Sequence, residues 1–424
     1  MKIHPAQNRF WNACRELYWS VRILICRFQQ NRVIGRMRRR PAGQKIRVLF
    51  YMYDAAKWKC QRIYDLMKAS TDFEPLVLIG AYPYNPLETK ESLEKTLSGI
   101  ELFLDKSGCR HKRIVHGFPP SFSDITSLKP DVVFIQQPWG LPDVCEPYAI
   151  SRYALPVYVP YYVPTNLDPS VHCDTLFHRS LYAYFVLSDE WAKLMGKFTR
   201  FKVHTTRYLG LGHPTLDACA QDDDAINQKS DSVIYAPHFS FSFAANHSLF
   251  PIGTFETTGL PILNYAKAHP EFNWIFKPHP VLKDRLIATK YMAKDEVDAY
   301  YKAWDDIGRV ELSGNYEDLF SQARVMITDS DSFLAEFGAT GKPIIHLRRA
   351  TSTIEYTGPS SYINTYYKVY SVSDMESIFK TVIEKGEDPM KNVRQIALQS
   401  AGLLNKGAGI RILKYLRGVC GDAV

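Results

Sequence analysis

The chain has 424 residues, 46% of them hydrophobic, enough for a large buried core and more than one domain. Its formal net charge of +8 is localised: residues 1–43 carry Lys2 and nine arginines against the single acid Glu16, which leaves the rest close to neutral. A neutral body argues against a nucleic-acid partner, and eight scattered cysteines without a C-x-x-C pair argue against a disulfide framework or a metal site.

The first element is read from spacing. Phe10, Cys14, Leu17, Val21, Leu24 and Phe28 recur at three- and four-residue steps, with Trp11, Tyr18 and Ile25 beside them and Arg15, Arg22 and Arg36 off that stripe. The pattern predicts a basic amphipathic helix within residues 1–44. Its uncharged runs, Leu17–Val21 and Ile23–Cys26, fall far short of the roughly 20 apolar residues that span a bilayer and are too short for a signal-peptide core. Two uses remain open. The helix lies on an anionic membrane surface through residues 1–40, with Trp11, Trp19, Leu24 and Phe28 in the acyl boundary, or it packs on the body or a second subunit with Arg36–Arg40 as a solvated linker. The first use makes the protein cytoplasmic and peripheral on the inner face of the cell membrane.

From Lys45 the chain alternates short β-branched and aromatic runs with helical stretches. Lys45–Tyr53, Pro75–Gly80, Asp131–Gln136, Pro156–Pro160 and Tyr184–Leu187 read as buried strands, and Lys57–Ala69, Leu87–Leu97 and Asp189–Lys197 as helices. This predicts a Rossmann-like domain over residues 45–219. The aspartate-rich, aperiodic stretch 220–232 reads as a linker. A second Rossmann-like domain is expected over 233–400, with strands Val233–Ala236, Trp274–Lys277, Val310–Leu312, Val325–Thr328 and Pro343–Leu347. Helices are expected at Leu260–Ala268, Ala293–Trp304, Glu317–Gln322 and Ser332–Thr340. A last helix, Gly409–Leu416 within residues 401–424, is expected to cross back to the first domain. The fold class is therefore α/β, with two Rossmann-like domains facing across a cleft and ligands at the carboxyl ends of the strands.

Chemistry-bearing residues cluster at three of those strand ends. Val325–Thr328 runs into Asp329-Ser330-Asp331-Ser332 and then a helix, a place where N–H groups and the Ser330 and Ser332 hydroxyls suit a diphosphate; an ordinary Asp/Ser helix cap is the plainer reading. Asp331 opposes an anion unless it turns away, caps the helix or meets a cation. Glu336, four residues after Ser332 on the same helix face, is placed to accept hydrogen bonds from a ribose diol. Lys277 and His279, in Lys277-Pro278-His279-Pro280, follow a strand as donors to phosphate oxygens, with two prolines fixing the turn. Tyr235-Ala236-Pro237-His238 repeats the arrangement one strand earlier, with Ser240 and Ser242 after it.

The order Y-A-P-H, K-P-H-P, then Y-E-D-L-F and I-T-D-S-D-S-F-L-A-E-F-G-A-T-G-K-P-I-I resembles the CDP-glycerol glycerophosphotransferase family of teichoic-acid and capsule polymer synthesis, over residues 180–415. The resemblance implies a GT-B architecture, work at the inner membrane face, and metal-free transfer of a phosphoglycerol unit from CDP-glycerol with no cofactor. It implies that His279, Asp329 and Ser332 contact the donor pyrophosphate and that Glu336 sits where the family carries an acid. The expected partners are a nucleotide-diphosphate donor and a hydroxyl-bearing glycan, polyol or lipid-linked acceptor. This chain departs from the family at Asp331 and at Val159-Pro160-Tyr161-Tyr162-Val163-Pro164-Thr165, where an H-G-T-P turn with the proposed base is usual. His172, His178 and Asp168 just downstream, and His238, are the candidates to assist deprotonation of the acceptor hydroxyl.

Other readings use the same residues. A GT-B glycosyltransferase taking a nucleotide sugar is the main alternative, and a non-catalytic nucleotide- or polymer-binding protein is the alternative of another class. The stretch ending E-F-G-A-T-G-K-P-I-I-H-L-R also looks like UDP-N-acetylglucosamine 2-epimerases, but Val48–Asp54 lacks their glycine-rich first turn. Asp329-x-Asp331 matches the metal-binding DxD of GT-A enzymes but opens a helix in the second domain.

Overall fold

The strand–helix alternation builds two parallel sheets, each the centre of its own compact unit. The structure, a computed structural model, describes residues 5–80, 89–114, 121–219, 231–241, 252–312 and 316–420. The first unit comprises Met1–Tyr162, Leu167–Asp217 and Gly407–Val424, and the second Val163–Asn166 and Ala218–Lys406. The expected linker 220–232 lies almost wholly outside the described residues, as does Ser242.

In the first unit, strands β1 (Ile46–Met52), β2 (Phe73–Ile79), β3 (His111–Arg113), β4 (Val132–Ile135), β5 (Leu155–Tyr158), β6 (Ala183–Phe185) and β7 (Arg207–Leu209) lie in the order β3-β2-β1-β4-β5-β6-β7, all parallel. Val48 faces Pro75 on one side and Val132 on the other, so the middle of β1 is buried on both flanks. Helices α1 (Pro5–Arg38), α2 (Gln61–Ala69), α3 (Lys90–Lys106) and α4 (Asp189–Thr199) belong to this unit. Phe50 stacks on Phe134 at 4.7 Å in a core that also takes in Tyr64, Phe73 and Ile412. Such a stack adds about 1 kcal/mol beyond burial itself.

In the second unit, β8 (Ser232–Ala236), β9 (Asn273–Phe276), β10 (Gly308–Val310), β11 (Val325–Thr328), β12 (Ile344–Leu347) and β13 (Tyr367–Val369) lie in the order β10-β9-β8-β11-β12-β13. Strand order reverses between β8 and β11, as it does between β1 and β4. At such a switch point, flanking loops diverge and leave a crevice at the carboxyl edge. Trp274, Trp304, Tyr235 and Phe276 fill the core beneath it, with Phe276 stacked on Trp304 at 5.1 Å. The unit's helices include α5 (Phe255–Ala268), α6 (Lys294–Ile307) and the short α7 (Asp331–Glu336). A 3-10 turn (Gly338–Thr340) follows α7, and Gly341, at φ 72°, reverses the chain into β12. The final helix α8 (Ala408–Cys420) belongs to the first unit: Asp217 accepts the amides of Ala408 and Gly409 at 2.9 and 3.0 Å.

The face that α1 buries is not the apolar stripe read from the sequence. Ile23, Cys26, Gln30, Val33 and Met37 are buried, whereas Phe10, Trp11, Leu17, Tyr18, Val21, Leu24, Ile25 and Phe28 are each 51–68% exposed. Polar side chains supply much of the inward attachment. Glu16 pairs with the fully buried Arg179 at 2.8 Å, and Gln30 donates to Ser151 Oγ at 3.0 Å and the Ser180 carbonyl at 2.9 Å. Arg179 also has Asp174 at 3.5 Å, so Glu16 adds a second carboxylate from α1 to this buried guanidinium, and together with the Gln30 hydrogen bonds it sets the helix's rotation. The run Arg36–Arg40 is not a solvated linker either: α1 continues to Arg38, Arg36 donates to the Tyr153 carbonyl at 2.8 Å, and Arg40 pairs with Asp131. No helix among the described residues is long and apolar enough to cross a membrane.

Candidate functional site in the second unit

Because β8, β9 and β11 are parallel, their carboxyl ends bring His238, Lys277-Pro278-His279 and Asp329-Ser330 to one edge of the sheet. The crevice at the switch point is tied together by Asp329. Its carboxylate accepts the His238 amide at 2.6 Å, the Thr254 amide at 2.5 Å and the Thr254 hydroxyl at 2.8 Å, and it is 2% exposed. Burial raises this carboxyl to about 6 although those hydrogen bonds pull the other way. With its oxygens turned onto protein donors, Asp329 is a positioning residue in this geometry rather than a phosphate contact. It joins the loop after β8 and the start of α5 to the end of β11.

The two histidines are held as neutral hydrogen-bond donors. The His279 ring Nδ1 accepts the Val281 amide at 3.2 Å, and the His238 Nδ1 accepts the Ser240 amide at 3.2 Å. Each imidazole therefore carries its proton on Nε2. Burial lowers His238 to about 3 and His279 to about 4, and the rings lie 5.1 Å apart, both against Phe239 at 4.4 Å. This geometry makes His238 a donor rather than the base expected from the sequence, because Nδ1 is engaged and Nε2 is protonated. Lys277 supplies the positive charge: it is 5% exposed, with its ammonium 4.7 Å from the Tyr316 ring centroid.

Tyr316 in turn donates its hydroxyl to Glu336, which is 2% exposed. Glu336 thus faces into a Lys277–Tyr316–Glu336 network rather than outward along a helix surface toward a ribose diol. The short α7 explains the difference, since only its first turn, with Ser332 half-buried, reaches the surface. Asp331 turns away from the crevice: Tyr356 donates to it at 2.8 Å and Arg348 lies close by, while burial raises its pKa. Ser330 is 5% exposed at the N-cap position, its amide bonded to Thr328 Oγ1 at 3.0 Å.

The first-unit candidates do not gather into a site. His178 is 1% exposed, hydrogen-bonded to Thr175 and stacked on Tyr184, and burial lowers it to about 3. It is a core residue. Asp168 caps the four-residue turn Pro169–His172, accepting the Ser170 amide at 2.9 Å and hydroxyl at 2.7 Å, contacts that lower its pKa. His172 folds its Nδ1 back onto the Asp168 backbone at 2.9 Å and is 8% exposed; burial lowers its pKa.

Sequence reading missed several groups that the fold brings to strand ends. Thr254 escaped because the helix was placed from Leu260, five residues after its true start. In the first unit, Tyr53, Lys57, Trp139 and Tyr161 meet at the carboxyl ends of β1, β4 and β5. Tyr53 donates to the Trp139 carbonyl at 2.5 Å, Trp139 meets Tyr161 edge-on at 5.8 Å, and Lys57 lies 5.6 Å from the Tyr161 centroid. Their only sequence signal is aromatic residues just past strand ends. Among the described residues, no three His, Cys, Asp or Glu side chains group as a metal site.

No protein-family model and no curated relative matches this chain. Solved structures do match. The Neisseria meningitidis UDP-GlcNAc 2-epimerase, solved with UDP-GlcNAc, is 16% identical over 88% of this chain and 100% of its own, at a TM-score of 0.53. The S. aureus MnaA–UDP structure is 12% identical over 89% and 99%, at 0.52. The wall teichoic acid polymerase TagF, soaked with CDPG, is 11% identical over 97% of each chain, at 0.51. At these identities the likeness shows the fold: two Rossmann-like parallel sheets of the GT-B type.

Proposed function

We propose that the protein is a GT-B transferase whose second unit binds the diphosphate of a nucleotide-activated donor at the β8–β11 switch point. The observation that carries this reading is the meeting there of one cation, Lys277, with the neutral donors of His238 and His279 and the Ser330 turn. A diphosphate needs charge neutralisation and several directed donors, and this edge supplies both. Ser332 completes the set from the first turn of α7. The two Nε2–H groups serve the leaving nucleotide, where negative charge develops as the transferred group departs.

The transferred group is phosphoglycerol-like, from a CDP-glycerol-like donor to a hydroxyl of a cell-surface polymer. The motif resemblance and the fold likeness to TagF both support this. A nucleotide-sugar glycosyltransferase is the second reading, favoured by the Trp139–Tyr161 pair, whose ring faces suit the apolar faces of a sugar.

Purified protein screened against CDP-, UDP- and GDP-linked donors separates these readings. A matching donor at about 100 times its Kd is expected to stabilise the fold by about 2.7 kcal/mol. Glycerophosphotransfer releases CMP and moves phosphorus to the acceptor, glycosyl transfer moves only sugar, and an epimerase turns over with no acceptor. His279→Ala is expected to weaken donor binding about 10- to 100-fold, the cost of a hydrogen bond to a charged group. Unchanged affinity in that variant would remove the donor site from this edge.

A further inference from the structure

At the foot of α1, on the amino-terminal edge of the first sheet, lies a cavity of about 400 Å³. Arg36, Arg39, Arg40, Lys45, Arg47 and Lys129 line it, against the single carboxylate of Asp131. Asp131 is already committed to Arg40, Arg36 and the Arg47 amide. Arg39, Lys45 and Lys129 have no carboxylate at ion-pair distance among the described residues, and all three are exposed. This is an anion-binding lining, well suited to a phosphodiester.

The outward face of α1 leads straight into this cavity. Phe28, Arg32 and Arg39 follow at steps of four and seven, so they share one face with Leu17, Val21 and Leu24. That face runs roughly 44 Å from Phe10 to Arg39, apolar over its first two thirds and cationic at its end. Beside its apolar part stands a second projecting ring: Phe201, 91% exposed in the Arg200-Phe201-Lys202 loop after α4. Arg27 ties this loop to α1 through the His204 carbonyl at 2.9 Å.

We propose that this surface is a docking site for an anionic lipid bilayer, with the outward face of α1 and Phe201 in the acyl boundary and a phosphate-bearing lipid headgroup in the basic cavity. Charge complementarity selects the occupant. The only acid in α1, Glu16, is turned inward onto Arg179, so the outward face carries arginines without carboxylates. A second copy would set like charges against like, whereas an anionic bilayer satisfies both the apolar and the cationic parts. The site lies wholly in the first unit and stands independently of the donor reading.

Co-sedimentation of the full chain with phosphatidylcholine vesicles, with and without phosphatidylglycerol, tests it. Binding to the anionic vesicles alone is expected. The triple variant Arg39→Ala, Lys45→Ala, Lys129→Ala is expected to lose about a hundredfold in partitioning, near fivefold per charge. Leu24→Glu with Phe28→Glu is expected to abolish sedimentation while leaving the circular dichroism and melting midpoint unchanged, because both side chains are exposed. Equal binding to neutral vesicles, or undiminished partitioning of the triple variant, overturns the proposal. So does complete release by millimolar inorganic phosphate, which assigns the cavity to a soluble anion. A wild-type dimer in solution that dissociates on Leu24→Glu assigns the face to self-association and overturns it equally.

Discussion

Lowering the pH from 7 to 5 is expected to cost this protein roughly 6 kcal/mol of folding stability, enough to unfold a typical domain. Burial holds five histidines neutral: His178, His238 and His346 near 3, and His213 and His279 near 4. Their folded pKa values lie below the unfolded value of about 6.5. Between these limits the unfolded chain binds protons that the native chain refuses. Stability is therefore present above about pH 6.5 and lost as the pH falls. Three carboxyls act in the opposite sense: burial raises Glu146 to about 7, Asp329 to about 6 and Asp331 in the same direction, so over that window the native state holds protons on them. The balance near pH 5 is about three protons, a slope of about 4 kcal/mol per pH unit. Urea unfolding at pH 7, 6 and 5 measures it. His346→Leu, which removes one buried imidazole from a strand, is expected to flatten the slope by about 1.4 kcal/mol per pH unit. A level profile from pH 7 to 5 would show that these rings are not buried neutral.

Asp329→Ala is expected to be the most damaging single change at the donor edge. Its carboxylate accepts three hydrogen bonds, two buried ones from Thr254 and a partly buried one from the His238 amide. Alanine leaves two amides without their acceptor and the Thr254 hydroxyl with only Thr258 Oγ1 at 3.2 Å, at about 1–3 kcal/mol for each unpaired group that water does not reach. A loss of about 3 kcal/mol or more is expected, together with loss of nucleotide binding, because the loop carrying His238 is no longer pinned to the end of β11. The distinguishing comparison is His279→Ala, which is expected to weaken nucleotide binding while leaving the fold nearly as stable as wild type. Urea midpoints paired with nucleotide titrations separate the two. If Asp329→Ala kept wild-type stability and lost only affinity, the residue would be a ligand contact and its positioning role would fail.

Most interior elements were legible because their residues repeat at the right period. Strands β4 and β5 are unbroken apolar runs, as are Val48–Met52 of β1, Val233–Ala236 of β8, Trp274–Phe276 of β9 and Val325–Ile327 of β11, as expected of strands covered on both faces. The edge strands β3, β7 and β13 were not seen. Each has three residues, and His111-Lys112-Arg113 has no apolar residue at all; only pairing with β2 makes it a strand. The candidate site was legible as chain positions but not as roles. Spacing put His238, His279 and Asp329 at strand ends, yet which faced a ligand and which faced protein depended on partners far away in sequence, such as Thr254 for Asp329 and Tyr316 for Glu336.

The first helix separates what each level decides. Sequence by itself determined that residues 1–44 contain a helix with an apolar stripe and carry the excess charge, because periodicity and composition are local properties. Only the tertiary structure decided which side is buried. A pattern predicts that an apolar face is covered by something, but the pairing of half-buried Glu16 with the buried Arg179 and the hydrogen bonds of Gln30 fix the rotation the other way. Leaving the buried Gln30 amide and Ser180 carbonyl unpaired and Arg179 with Asp174 alone costs more than exposing hydrocarbon, so the polar contacts won and the stripe was left facing outward.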